Sequence, residues 1–440
     1  MRFIDLELQK WIYAKNRKPL LIRGARQVGK TFAVERLCKE HFPHFCKIDF
    51  EQEPELKEAF SLDLDPKRIL KDLSSRKNIQ VIPGKTLVFF DEIQACPKAI
   101  MALRYFYEQM PELHVIAAGS LLEFILGDAN FSFPVGRLQT LYVRPFSFNE
   151  FLQFKGEFQA LEWIKTATIQ NPIGPATHLL LLRLLKEYFI SGGMPAVLYK
   201  TDNIQESRIE QRSILEMYSN DFRKYAKHSA QKYLQSLFDR APYLVGEHFK
   251  YAKVDPHMDS RELKIALEML GRSGLIHRIY HSSCIGVPLG ASLNEKKCKL
   301  LFLDIGLLNS KMNIPLDFLV QEDLSLVHSG ALAEQFVGQE LIAYQIPYYA
   351  PELFYWEREK KGSDAEVDYV LEIYGKIVPV EVKAGKTGRL RSLHQFLQEK
   401  QVPLGIRIST VSLSQDNTIL SIPLYMISEI SRLVQELKHN

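Results

Sequence analysis

Residues Gly24-Ala-Arg-Gln-Val-Gly29-Lys30-Thr31 fit the pattern GxxxxGK[ST]. Two glycines at that spacing let the backbone turn tightly, so that its N–H groups and the start of a following helix face phosphate oxygens. In that chemistry Lys30 reaches the β- and γ-phosphates and Thr31 ligates Mg²⁺, while Ala25, Arg26, Gln27 and Val28 complete the loop. A strand must lead into such a loop and a helix must leave it. Pro19 to Arg23 read as a short buried strand, and Phe32, Val34, Leu37 and Cys38 give the next segment an apolar helical face. The expected ligand is ATP with Mg²⁺.

A second apolar run, Leu87-Val-Phe-Phe90, ends in Asp91-Glu92. Asp91 is expected to hold Mg²⁺ through water, and Glu92 to orient and deprotonate an attacking water. A base beside a metal ligand suits hydrolysis better than transfer to a second substrate. Phe45 to Phe50 is a further candidate strand, and Pro97 opens a helix with Ile100, Leu103, Tyr107 and Met110 on one face. His114 to Ala118 form a strand ending at Gly119-Ser120. Ser120 is a candidate contact to the γ-phosphate or the water, with a plain turn serine as the alternative. Arg137, in Pro134-Val-Gly136-Arg137, is a candidate arginine finger in cis or in trans, and the latter would require oligomerisation.

Another chemically suggestive set lies in the C-terminal third. Ala365 to Tyr374 and Ile377 to Lys383 read as the arms of a β-hairpin. With Gly375-Lys376 as the turn, Val367, Tyr369, Leu371, Ile373, Val378, Val380 and Val382 share one face. The other face gathers Asp368, Glu381 and Lys383, with Asp368 opposite Lys383. D…ExK on adjacent strands is the arrangement of PD-(D/E)xK nucleases: two carboxylates for Mg²⁺ or Mn²⁺, and a lysine beside the hydroxide. A helix with Glu334 and Phe336 precedes, then a strand at Leu353 to Trp356. A helix (Leu390 to Lys400) and a strand (Leu404 to Ser409) follow. That order resembles a restriction-endonuclease-like core, in which Glu334 matches the acidic residue of the first helix. The alternative is an ordinary cross-strand ion pair on a catalytically inactive fold.

Between these regions, residues 150–240 read as helices, including His178 to Ile190 and Glu206 to Tyr218. Asp259-Ser-Arg261 then starts a helix with Leu263, Leu267 and Leu270 on one face, Gly274 stops it, and Leu275 to His281 is strand-like. Helix, glycine and strand resemble a winged helix. Arg261, Lys264, Arg272 and Arg278 are its candidate DNA contacts, and a packing module is the alternative.

The motifs GARQVGKT, LVFFDEIQ, AAGS, VGR…RPFSFNEFL and SGGMPAVL resemble those of prokaryotic AAA-superfamily ATPases. In that family the ATPase is fused to a C-terminal domain of unknown function, number 4143. KLLFLDIGLL, GALAE and YW…EVD extend the resemblance through the chain. It implies an α/β fold in three parts. Residues 1–152 would be a P-loop NTPase domain with an ASCE-type parallel sheet, carrying an extra strand between the P-loop strand and the strand ending in Asp91. Residues 153–310 would be helical with a winged helix, and 311–440 a restriction-endonuclease-like domain.

Composition is consistent with this and narrows the partners. The chain has 440 residues with 56 Lys+Arg against 52 Asp+Glu, so the whole molecule is no polyelectrolyte. The excess of four is matched by residues 201–300, with 16 basic and 12 acidic residues. Any DNA contact must therefore be local. Asp5, Glu7 and Lys10 interrupt the N-terminal apolar residues, and the later apolar runs are broken by Arg or Lys, so neither a secretory signal nor a membrane span is expected. Five cysteines without a CxxC pair fit a cytoplasmic location. Two function classes follow: ATP-gated DNA processing or cleavage, and an ATP-driven switch acting on DNA or an unknown protein partner with an inert C-terminal fold.

Overall fold

Short runs of aliphatic and aromatic residues with no polar alternation demand cover on both faces, which is the signature of parallel strands. β1 Leu20–Arg23, β3 Thr86–Asp91 and β4 His114–Ala118 are of this kind, and with β2 His44–Asp49 and β5 Gln139–Tyr142 they form one sheet. Their order is β2-β3-β4-β1-β5, and every neighbouring pair is parallel. The computed structural model describes residues 2–120, 133–201, 203–226, 228–315, 329–360, 365–383, 385 and 390–437. Among the helices accompanying this sheet are α1 Phe3–Ile12, α2 Lys30–His41, α3 Pro66–Lys77 and α4 Pro97–Gln109. The expected extra strand is β4, between β1 and β3. Because the strands are parallel, the loop after β1, the acidic pair ending β3 and Ser120 after β4 all lie at one edge of the sheet. β5 was not foreseen, since Gln139-Thr-Leu-Tyr142 has little apolar pattern. It pairs in parallel with β1, buries Leu141, and sets the Tyr142 ring 5.2 Å from the Arg23 guanidinium.

Contacts divide the chain into two units. The first comprises Met1–Arg144 with Arg272–Gly274 and Ile346–Ala350; the second comprises Pro145–Gly271, Leu275–Gln345 and Pro351–Asn440. The expected middle and C-terminal regions therefore fall largely in one unit. An eight-stranded sheet unites them, ordered β12-β13-β11-β10-β9-β8-β6-β7. Its strands are β6 Ile276–Ser282, β7 Leu293–Phe302, β8 Leu353–Glu357, β9 Glu366–Ile373, β10 Lys376–Val382, β11 Gly405–Ser409, β12 Ser414–Asp416 and β13 Ile419–Pro423. The helix Ser260–Arg272 followed by the β6–β7 hairpin reproduces the expected helix-then-hairpin order. However, β6 also pairs in parallel with β8, so the hairpin is no free wing. The boundary expected near residue 310 follows a strand of that same continuous sheet.

The β9–β10 hairpin differs from expectation by its turn. Lys376 pairs with Ile373 and Val380 with Tyr369, so the two turn residues are Tyr374 and Gly375, at φ 52° and 70°. Both are left-handed, as a tight hairpin turn requires. The register moves by two residues, and a period-2 pattern survives an even shift. The face carrying Asp368 and Glu381 is kept, but continuing the ladder sets Asp368 level with Glu381 rather than with Lys383.

Several of the motifs that carry the family resemblance are joints within the second unit. Gly193 N donates to the Asp304 carboxylate at 2.7 Å, and its carbonyl accepts from Phe146 N at 2.7 Å. A Cβ on Gly193 would lie 2.1 Å from the Phe146 carbonyl, and one on Gly306 would lie 2.4 Å from the Ser191 carbonyl. Asp304 also caps the helix Ile305–Lys311 through Leu307 N. These are packing requirements. No helix among the described residues is long and apolar enough to cross a membrane.

Candidate functional site

The loop between β1 and α2 has the backbone its glycines permit. Gly24, Gln27 and Gly29 have φ of 145°, 66° and 91°. At Gly24 the requirement is also steric, since a Cβ there would lie 2.2 Å from the carbonyl oxygen of Val143. Ala25 and Val28 are buried beneath the loop, the Val28 carbonyl accepts from Arg2, and Arg26 pairs with Glu51 at 3.0 Å. Lys30 opens α2, is buried, and donates to the carbonyls of Gly24 and Ala25 at 3.1 and 2.8 Å. Burial lowers its pKa to about 8, while Glu92 and Asp91 pull the other way.

The end of β3 meets this loop. Thr31 Oγ1 donates to Asp91 Oδ2 at 2.8 Å, joining the two expected Mg²⁺ holders. Lys47 lies 3.6 Å from the same oxygen but is shared with Glu35 at 2.8 Å. Burial raises the Asp91 pKa, partly countered by the Thr31 bond. Glu92 stands in the left-handed region, φ 46° and ψ 46°, a conformation that a non-glycine residue keeps only when its surroundings impose it. Its Oε2 accepts from Gln94 Nε2 at 2.5 Å and from Ser120 Oγ at 3.3 Å. The structure thus assembles Gly24 to Thr31, Asp91, Glu92 and Ser120 at one sheet edge. Gln94 escaped the sequence reading, although its position two residues after Glu92 was the available signal. Arg137 is half-exposed and pairs with Glu108 of α4 at 2.9 Å.

These residues fit a Mg²⁺–nucleotide. A glycine-framed loop with left-handed backbone precedes a helix start, a buried ammonium lies beneath it, and a hydroxyl and a carboxylate converge beside it.

In the second unit, Asp368 Oδ2 accepts from Val382 N at 2.8 Å, and Lys383 donates to Glu381 Oε1 at 2.7 Å. The sequence reading missed the group at the centre. The Lys299 side chain, only 1% exposed, approaches Glu334 Oε2 at 3.4 Å and Asp368 Oδ1 at 3.7 Å and pairs with Glu366 Oε1. Glu366 Oε2 is 2.6 Å from His248 Nε2, and His248 Nδ1 is 3.3 Å from Glu357. Burial alone would lower the Lys299 pKa, but Glu334, Asp368 and Glu366 outweigh it and hold it raised. Burial raises the Glu334, Asp368 and Glu381 pKa values, whereas His248 and Lys299 keep Glu366 lowered against its own burial. A lysine inside the apolar run Cys298-Lys-Leu-Leu-Phe302 was the overlooked signal, because buried lysines are rare unless paired. Of the candidate DNA contacts, Arg261, Lys264 and Arg272 are exposed on their helix, and Arg278 lies 5.0 Å over the Tyr280 ring.

Residues 16–152 match the family described as an AAA domain. Residues 182–317 match a domain of unknown function (DUF8612), and residues 329–425 match another (DUF4143). No curated protein matches the chain. Solved structures with some likeness include the Walker-type ATPase Paby2304 of Pyrococcus abyssi. It is 15% identical with a TM-score of 0.42, covering 70% of this chain and 94% of that one. The Aeropyrum pernix Orc1 protein in complex with DNA is 12% identical with a TM-score of 0.28, covering 73% of this chain and 95% of that one. Cdc6p from Pyrobaculum aerophilum is 9% identical with a TM-score of 0.24, covering 72% of this chain and 93% of that one.

Proposed function

From an AAA-type P-loop domain at residues 16–152, we propose that the chain binds ATP and hydrolyses it, with Glu92 as the general base. The observation that carries this is the setting of Glu92. Its carboxylate adjoins the Thr31–Asp91 pair and is steered by two neutral donors, Gln94 and Ser120, that leave it free to accept a proton. The loop amides from Gly24 to Gly29 cradle the phosphates, and Lys30 swings from its two carbonyl partners to the β- and γ-phosphates. Thr31 and Asp91 would hold Mg²⁺, which when bound supplies charge neutralisation on the phosphate oxygens. Arg137 would leave its exposed partner Glu108 to act on transition-state charge, in cis or in trans on a neighbouring copy.

Glu92→Gln keeps the shape and the two donors' partner while removing the base. ATP affinity should stay within about twofold, and turnover should fall by about 100-fold or more. Phosphate release at saturating ATP measures it, and undiminished turnover overturns the assignment.

A second reading concerns what hydrolysis controls. Nucleotide-dependent contact with DNA or a protein partner is favoured over cleavage by Asp368, Glu381 and Lys383, because those carboxylates already have amide or ammonium partners. The metal titration described below separates the two.

A further inference from the structure

We infer that Lys299 is a resident cation, its ammonium lying among Glu334, Glu366 and Asp368 where a divalent ion would need to sit, so that the acidic cluster of the second unit is complete without metal. A divalent ion in an oxygen cage needs several oxygens with lone pairs to spare. Asp368 Oδ2 is taken by Val382 N, and Oδ1 faces Lys299. Glu334 Oε2 and Glu366 Oε1 face the same ammonium, and Glu366 Oε2 is held by His248. Glu381 Oε1 is taken by Lys383, leaving Glu381 Oε2 as the buried carboxylate oxygen of this cluster with no partner among the described residues. With the Glu334, Glu366 and Asp368 oxygens at the centre already engaged by Lys299, Glu381 Oε2 by itself makes no cage. A doubly charged ion placed there would also be repelled by a buried ammonium a few ångströms away, with little water to screen it.

Lys299 cannot readily step aside. Its chain is enclosed in β7, and its ammonium also lies 5.6 Å from the centre of the Tyr355 ring. A buried ammonium that abandoned its carboxylates would face the full desolvation cost of an unpaired charge. The neighbouring group His248, Glu357 and Glu366 offers ligand atoms within 4.8 Å of one another, but it is compensated in the same manner. Lys297 pairs with Glu357 at 2.6 Å, and Lys299 pairs with Glu366. Each acidic group of the cluster thus has its cation supplied by the chain.

The test uses the full chain, stripped of metal and free of nucleotide, melted across a Mn²⁺ titration to millimolar concentration. Bound Mn²⁺ is counted in parallel by its paramagnetic resonance signal. Wild type and Asp368→Asn should respond identically, with no Mn²⁺ bound at this cluster. Lys299→Met should melt lower without metal and regain about 3–6 °C with Mn²⁺, since the vacated carboxylates then want a cation. A Mn²⁺-dependent rise in wild type that Asp368→Asn abolishes overturns the inference, as does a folded Lys299→Met variant indifferent to Mn²⁺. Should Lys299→Met fail to fold, the wild-type and Asp368→Asn titrations decide the matter alone.

Discussion

Two acidic sites in this chain look alike in sequence and are held in opposite ways. At the end of β3, Asp91 and Glu92 are held chiefly by neutral donors: the Thr31 hydroxyl, the Gln94 amide and the Ser120 hydroxyl. Around β9 and β10, Asp368, Glu366, Glu334 and Glu381 are held chiefly by the ammonium groups of Lys299 and Lys383. Neutral donors orient a carboxylate without discharging it, so its charge remains for an incoming cation or proton. An ammonium does what the incoming cation would do. The surroundings of a carboxylate pair therefore say more about its chemistry than the pair itself.

The sharpest way to break that contrast is one isosteric change made at both sites. Asp91→Asn should cut ATP turnover about 100-fold or more while leaving stability within about 1 kcal/mol, because the amide oxygen still accepts from Thr31 and no buried ammonium among the described residues is paired with it. Asp368→Asn should leave turnover near wild type but lower stability by about 3 kcal/mol, because it turns an amide toward a buried ammonium. Steady-state phosphate release and urea unfolding on each variant read both quantities. If Asp368→Asn is stabilising, the cluster carries surplus negative charge and the contrast fails.

How far each site was legible in sequence follows the same division. The P-loop was readable because its chemistry is local: glycine spacing, lysine and threonine lie within eight residues between a strand and a helix. Asp91-Glu92 was readable because a buried parallel strand announces where its last residues must emerge. The parallel sheet needed only apolar runs, and β4 falls at His114–Ala118 as read. The C-terminal hairpin was legible as a pattern but not in register, because the turn sets Tyr374, a residue type that rarely takes left-handed backbone, ahead of Gly375. Lys299 was illegible as a partner because it comes from β7, three strands away from the β9 of Glu366 across β6 and β8, and nothing local points from it to Glu334 or Glu366. The wing was misjudged for a related reason. A hairpin after a helix looks the same in sequence whether its first strand faces water or, as β6 does here, another strand.

Glu340 sharpens the contrast, being a buried carboxyl in the second unit that has neutral partners only. Phe148 N donates to both of its oxygens at 3.0 and 3.2 Å, and Tyr344 donates to Oε2 at 2.9 Å. Burial pushes its pKa up to about 8, whereas Glu366, also buried but beside Lys299 and His248, is lowered. A carboxyl that holds its proton more tightly when folded stabilises fully below its unfolded pKa, and that contribution is lost as pH rises toward and through about 8. Between pH 6 and 8 wild type should therefore lose roughly 2 kcal/mol relative to Glu340→Gln. Urea midpoints of both proteins at pH 6, 7 and 8 measure the difference. Parallel pH dependences would mean that hydrogen bonds from neutral donors alone keep a buried carboxylate charged, and that Glu366 does not need Lys299 and His248 to stay ionised.

The smallest expected effect tests how Glu92 is steered. Its two donors differ in length, 2.5 Å from Gln94 and 3.3 Å from Ser120, so the serine should contribute the lesser share. Ser120→Ala removes one long hydrogen bond worth about 1 kcal/mol, which predicts a fall in turnover of roughly fivefold with ATP affinity unchanged. A fall as deep as that of Glu92→Gln would instead place the Ser120 hydroxyl on the reacting groups themselves. Neutral donors would then take part in the reaction rather than only aim the base, and the comparison with the lysine-filled cluster would have to be redrawn around what each donor touches.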